Sequence, residues 1–189
     1  MSQTNIETFP RNVFGLEVIG TQNEACQHAI SEALEILDNK LPPVVKELVH
    51  GSEITIASDL IESGGLTKAE EKKIILDTEK NTLSLQAAEN FLVEAGYLRA
   101  DDWTKALPSL KDHPWSCLTY QLIHEFGHLI DGQSNGKSYE RLNTDFSPTK
   151  YGETSSSEAF AEAFAYWVLD QSLVPEAQQA VEHTLFSAL

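Results

Sequence analysis

Apolar positions recur along the chain at two spacings, and the places where the spacing changes mark out the elements. Ala29, Ile30, Ala33, Leu34 and Leu37 repeat at helical intervals. Thr21, three before Glu24, reads as the capping box of that helix, and Pro42-Pro43 stops it. Glu53 to Ser58 (EITIAS) reads as a short strand. Lys73 to Leu76 and Thr82 to Leu85 read as two more, joined as a hairpin around DTEKN. From Gln86 to Leu98 the helical spacing returns, with Ala88, Phe91, Leu92 and Ala95 on one side.

Pro114 suits a first helical position, and the run from Trp115 to Ile130 after it ends at Asp131-Gly132. This helix is apolar nearly all round, which places it at the centre of a fold. Gly132 to Ser157 is polar and rich in Ser, Asn, Thr and Gly, a connection of a length that compact domains keep for a functional loop or lid. A helix from about Ser155 to Asp170 and another after Pro175 complete the pattern. No repeat or linker interrupts it, so the expectation is one α+β domain spanning 1–189, with helices around a short strand region.

Charge narrows the partners. Asp and Glu number 29 against 13 Lys and Arg, a formal net charge of -16 that repels phosphate backbones and anionic membrane surfaces. Nucleic acid is therefore not an expected partner, whereas a basic peptide suits that field. No apolar run reaches the roughly 18 residues of a membrane span, and the N-terminus has no basic start followed by an apolar stretch. No export signal is expected: the chain would be cytoplasmic if complete, and secreted if it is a mature fragment or leaves by another route. Cys26 and Cys117 are too few for a disulfide framework.

The central helix carries the chemistry. His124-Glu125-Phe126-Gly127-His128 is a His-Glu-x-x-His pattern, in which residues four apart share a helix face, so two imidazoles reach one ion while Glu125 stands beside its open position. Zinc held by three protein ligands keeps a fourth site for water and lowers the pKa of that water to about 7. Glu125 is the natural base. Leu122, Ile123, Phe126, Leu129 and Ile130 bury the motif, where two histidines and a glutamate without a partner would be costly.

A third ligand must come from elsewhere. The helix SSEAFAEAFAYWV offers Glu158 and Glu162, four apart on one stripe of an otherwise apolar segment. Ser155, three before Glu158, also reads as a capping box, so the residues alone leave open that Glu158 only caps the helix. The economical assignment puts Glu158 on the zinc, one ion per chain, with Glu162 accepting the free N–H of a liganding histidine. The reversed roles stay open. His28, His50, His113 and His183 have no partners suited to a second metal, and Trp103, in the polar stretch ADDWTK, is the best outside candidate for touching a substrate.

Tyr151-Gly152-Glu153-Thr154, then Glu158, then Phe160-Ala161-Glu162-Ala163-Phe164, following His124 to His128, resemble the catalytic domain of anthrax toxin lethal factor and the related bacterial Pro-Pro endopeptidases. The resemblance is sharp from about Leu122 to Trp167, within a motif-bearing part of about 112–170. It implies a zincin-like, gluzincin-type metallopeptidase in which His124, His128 and Glu158 hold zinc, Glu125 is the base and Tyr151 faces the metal. Independently of it, a phenol aimed at the substrate carbonyl could donate to the developing oxyanion. The expected fold is a small, mainly antiparallel sheet above the His124–His128 helix with the Glu158 helix behind, an arrangement drawn mostly from the resemblance. The expected reaction is hydrolysis of an internal bond in a peptide or protein, the peptide lying along a sheet edge. The rival is a zinc-holding module that captures a peptide without cutting it. Intact Glu125 argues against that rival.

Overall fold

The computed structural model of the chain describes residues 14–20, 23–58, 64–85, 87, 93–94, 115–134 and 142–186. Four strands, β1 (Glu17–Ile19), β2 (Glu53–Ala57), β3 (Gly65–Lys68) and β4 (Lys73–Asp77), form one sheet in the order β1-β2-β4-β3. Among the described residues there are five α-helices: α1 (Glu24–Lys40), α2 (Pro43–Val49), α3 (Ser116–Gln133), α4 (Ser156–Val168) and α5 (Pro175–Phe186). The class is α+β. No helix among the described residues is long and apolar enough to cross a membrane.

The sheet corrects the expectation of a mainly antiparallel one. β1 pairs β2 and β2 pairs β4 in parallel, and only β3 runs antiparallel to its neighbour β4. The reason lies in the connections: parallel neighbours need a long crossover, and α1 and α2 fill the one between β1 and β2. The hairpin among the described residues is β3 to β4, turned by a short 3-10 helix (Ala69–Glu71) and by Lys72 in the left-handed region at φ 50°. β2 and β4 alternate as half-buried strands should, with Ile54, Ile56, Ile74 and Leu76 turned into the core.

Thr82 to Leu85 is not a strand, a second correction, and its backbone has another task. The N-cap of α3 is Trp115, held at φ 76° with no side-chain cap. The backbone N–H of Trp115 donates to Thr82 O at 3.1 Å and that of Cys117 to Leu83 O at 3.2 Å, while Leu85 N–H donates to Ser116 Oγ at 2.7 Å. A helix start buried without side-chain capping needs such acceptors, and this segment supplies them.

The remaining differences are at element ends. α1 is capped by Asn23, whose side chain accepts from Cys26 N at 2.8 Å; Thr21 lies outside the described residues. Pro42-Pro43 does end α1, but Pro43 also opens α2 at a position where its missing N–H costs nothing. α3 starts at Ser116, not at Pro114, which lies outside the described residues together with most of the expected Gln86 to Leu98 helix, Trp103 and His113.

α3 occupies the centre, buried along most of its length, with α1, α2, α4, β3 and β4 packed around it. At Gly127 it lies close against α4: an added Cβ would lie 2.9 Å from Ala161 Cα and 3.1 Å from Phe164 Cδ1. Gly127 precedes His128 and Ala161 precedes Glu162. The contact that brings the helices close therefore also brings the histidines to the glutamates.

Candidate metal centre

His124 and His128 rise from the same face of α3, their rings 4.9 Å apart and nearly perpendicular at 78°. Their Nε2 atoms are 3.1 Å from one another, and Glu158 Oε2 from α4 lies 3.1 Å from His124 Nε2 and 3.2 Å from His128 Nε2. Tetrahedral zinc with bonds of about 2.0–2.1 Å has ligand atoms about 3.3 Å apart, so the three donors form nearly one face of such a shell. Among the described residues this is the group of three side chains that could hold a metal ion. Two ring nitrogens facing each other beside one carboxylate oxygen make a donor set that a single cation satisfies together.

Each histidine is held from behind. His124 Nδ1 donates to Glu162 Oε1 at 2.5 Å, and Glu162 Oε2 accepts from the Tyr120 hydroxyl at 2.9 Å. This fixes the His124 tautomer and turns Nε2 toward the site. His128 Nδ1 lies 3.1 Å from Ser157 Oγ. Glu162 is fully buried. At the start of α4 the Ser155 side chain accepts from Glu158 N at 3.2 Å. Half of the capping box is therefore built, while the Glu158 carboxylate turns to the histidines.

The electrostatics without a metal follow from this crowding. Burial, the largest influence on His124, pulls its pKa down, but bonds to Glu158 and Glu162 and the nearby charges of Glu162 and Glu125 outweigh it and leave it at about 10. For Glu158, burial pushes upward and is outweighed by bonds from both histidines, so its carboxyl lies well below the usual carboxylate range. A protonated His124 between two carboxylates holds positive charge where a cation would sit.

The group opens into a cleft of about 460 Å³ walled by β3, α3, the start of α4 and Tyr151. Tyr151 stands with its ring centroid 6.1 Å from that of His124. The polar loop before α4 is ordered by its own side chains: Ser147 Oγ donates to Thr149 O, Thr149 Oγ1 accepts from Gly152 N, and Thr154 Oγ1 donates to Tyr151 O. Ser147 and Thr149 are buried. Polar residues that read as a lid here bond the backbone of a fixed turn carrying Tyr151; 135–141 lie outside the described residues.

Glu125 lies beside the three donors with its carboxylate turned to the cleft. Its Oε1 accepts from Gln121 Nε2 at 2.8 Å and its Oε2 from Thr67 Oγ1 at 2.7 Å. Gln121, Thr67 and Ser157 were not among the residues singled out from sequence. Gln121, one helical turn before Glu125, and Ser157, next to Glu158, carried a spacing that could have found them. Thr67, distant in sequence on a four-residue strand, carried none.

No protein-family model matches the chain, and no curated protein matches it significantly.

Proposed function

We propose that the protein is a zinc-dependent metalloendopeptidase that hydrolyses an internal bond of a peptide or protein substrate. The observation that carries this reading is the convergence of His124 Nε2, His128 Nε2 and Glu158 Oε2 at near-tetrahedral spacing on an open cleft, with Glu125 beside them. The sequence resemblance to lethal factor and the Pro-Pro endopeptidases supports the same assignment and a zincin-like fold. When bound, zinc would polarise the scissile carbonyl and make water a nucleophile near neutral pH.

The residues of the chain supply the rest. Glu125 takes the proton of the attacking water on a carboxylate oxygen and passes it to the leaving amine. Tyr151, on the cleft wall, donates a hydrogen bond from its phenol to the developing oxyanion and keeps its proton, a contribution worth on the order of 10²–10³ in rate. Glu162 keeps Nε2 of His124 available by accepting at Nδ1. Among the described residues β3 is an edge strand along the same cleft, so an extended peptide adding to its outer side would gain main-chain hydrogen bonds and pass beside Glu125.

Elemental analysis should find about one zinc per wild-type chain, with much less in Glu158→Ala. A peptide library should be cut by wild type, and Glu125→Ala should slow cleavage by at least about 10²-fold. Zinc without cleavage of any peptide would replace this reading with the peptide-capturing module, and absence of zinc would remove both. Preference for Pro-Pro bonds is drawn from the resemblance alone; a library whose proline-rich members stay intact would exclude it.

A further inference from the structure

The base of the proposed reaction is held at both of its oxygens, and by two separate elements. Gln121, four residues earlier on α3, donates to Glu125 Oε1 at 2.8 Å, and Thr67 of β3 lies with Oγ1 2.7 Å from Glu125 Oε2 and 3.0 Å from the main-chain oxygen of Glu125. The threonine hydroxyl has one proton, and both neighbours in reach are acceptors, so it donates to Glu125 in either case. Gln121 and Glu125 are nearly inaccessible to solvent, and among the described residues the amide of Gln121 donates to the Glu125 carboxylate.

Gly65, two residues before Thr67, explains how a strand comes this near. A Cβ at Gly65 would overlap Glu125 Oε1 and lie 2.8 Å from Gln121 Nε2. Any side chain there would collide with the Glu125 carboxylate and the Gln121 amide and displace them from the hydrogen bond that joins them. The alternation of the strand then places Gly65 and Thr67 on the same face, toward α3, and leaves Leu66 between them exposed.

We propose that Thr67 and Gln121 are positioning residues that clamp the Glu125 carboxylate, keeping it off the metal and aimed at the nucleophilic water. Donors of fixed direction on both oxygens leave the carboxylate one orientation. Without them it is a flexible side chain beside a cation site and can swing over to become a fourth ligand. The clamp also ties the base to the substrate platform: the strand along which a peptide would lie is the strand that donates to Glu125. A displacement of β3 would therefore misplace peptide and base together. The inference rests on the peptidase reading for its catalytic consequence, but not for the clamp itself.

The test compares wild type, Thr67→Val, Thr67→Ser and Gln121→Leu. Zinc content should be unchanged in all four. Misplacing a catalytic group by about 1 Å costs on the order of 100-fold, so kcat should fall at least about tenfold in Thr67→Val and Gln121→Leu with KM within about twofold, and Thr67→Ser should recover most of it. After cobalt substitution, the visible absorption should change in Thr67→Val and Gln121→Leu, as Glu125 joins the ion, and should match wild type in Thr67→Ser. A Thr67→Ser variant as impaired as Thr67→Val, or unchanged kcat in the Val and Leu variants, would overturn the clamp. If Thr67→Val fails to fold, Gln121→Leu decides the same question from the helix side. If wild type binds metal but cuts no peptide, the peptidase reading fails by itself, and identical cobalt spectra across the set would then overturn the clamp separately.

Discussion

His124 is the residue on which the site turns, because each of its nitrogens meets a carboxylate: Glu162 at Nδ1 and Glu158 at Nε2. With its pKa at about 10 in the metal-free protein, it carries a proton on Nε2 at neutral pH, the atom a metal would need. Binding must expel that proton. Calorimetric titration of zinc at pH 7 in buffers of different ionisation enthalpy should therefore show release of about one proton per ion. An enthalpy that does not depend on the buffer would mean that His124 is already neutral and that the two carboxylates do not hold its proton. The histidines and both glutamates were legible in the sequence because helical periodicity turns a separation of four into a shared face, and an apolar surround makes such groups conspicuous. Thr67 was not legible, because a threonine on a four-residue strand acquires meaning only when the strand is laid against α3.

Between elements, the α3–α4 contact sets the spacing of His124, His128 and Glu158, and Gly127 stands where an added Cβ would meet the Ala161 backbone. Replacing Gly127 by Ala has two opposed effects. A helix interior gains about 1 kcal/mol from losing glycine, but the new Cβ would lie 2.9 Å from the Cα of Ala161, a backbone atom that cannot rotate aside. Overpacking a tight core costs about 1–3 kcal/mol, so the net expectation is destabilisation, with weaker zinc binding as Glu158 and Glu162 are pushed from the histidines. Urea unfolding and zinc titration of Gly127→Ala check both parts; a variant more stable than wild type would show that the helices part without strain. The same scale shows where sequence patterning failed. The spacing places α3 and α4 to within a few residues because each is a long, strongly apolar run, whereas α5 is legible only as a helix after Pro175. The hairpin was misplaced because Lys73 to Leu76 and Thr82 to Leu85 are both short apolar runs about a turn. Only the uncapped start of α3, which recruits the carbonyls of Thr82 and Leu83, decides that the second is not a strand. β1 and β3, three and four residues long, offered no periodicity to read.

Across the molecule, the site is a junction of α3, α4, β3 and the turn before α4, so its protonation state bears on the stability of the whole fold. In the metal-free protein His124 is raised from its ordinary 6.5 to about 10, and a group raised on folding contributes fully below its unfolded value. That contribution is present below about pH 6.5 and is lost progressively as the pH rises to 10. Glu158 is lowered from 4.5, so its contribution is present above that value and lost as the pH falls below it. The metal-free protein should then melt highest between about pH 4.5 and 6.5 and lose Tm steadily toward pH 10. Zinc, binding the folded state, should raise Tm in proportion to the logarithm of its free concentration over Kd. It should also remove the decline between pH 6.5 and 8, because the His124 proton that sustains it is gone once the ion is bound. Melting curves with chelator and with a zinc buffer across this range separate the two states. A metal-free Tm that stays flat from pH 6.5 to 10 would contradict the carboxylate-held proton, and a zinc-loaded protein that declines in parallel with the metal-free one would mean that the ion is not held through His124.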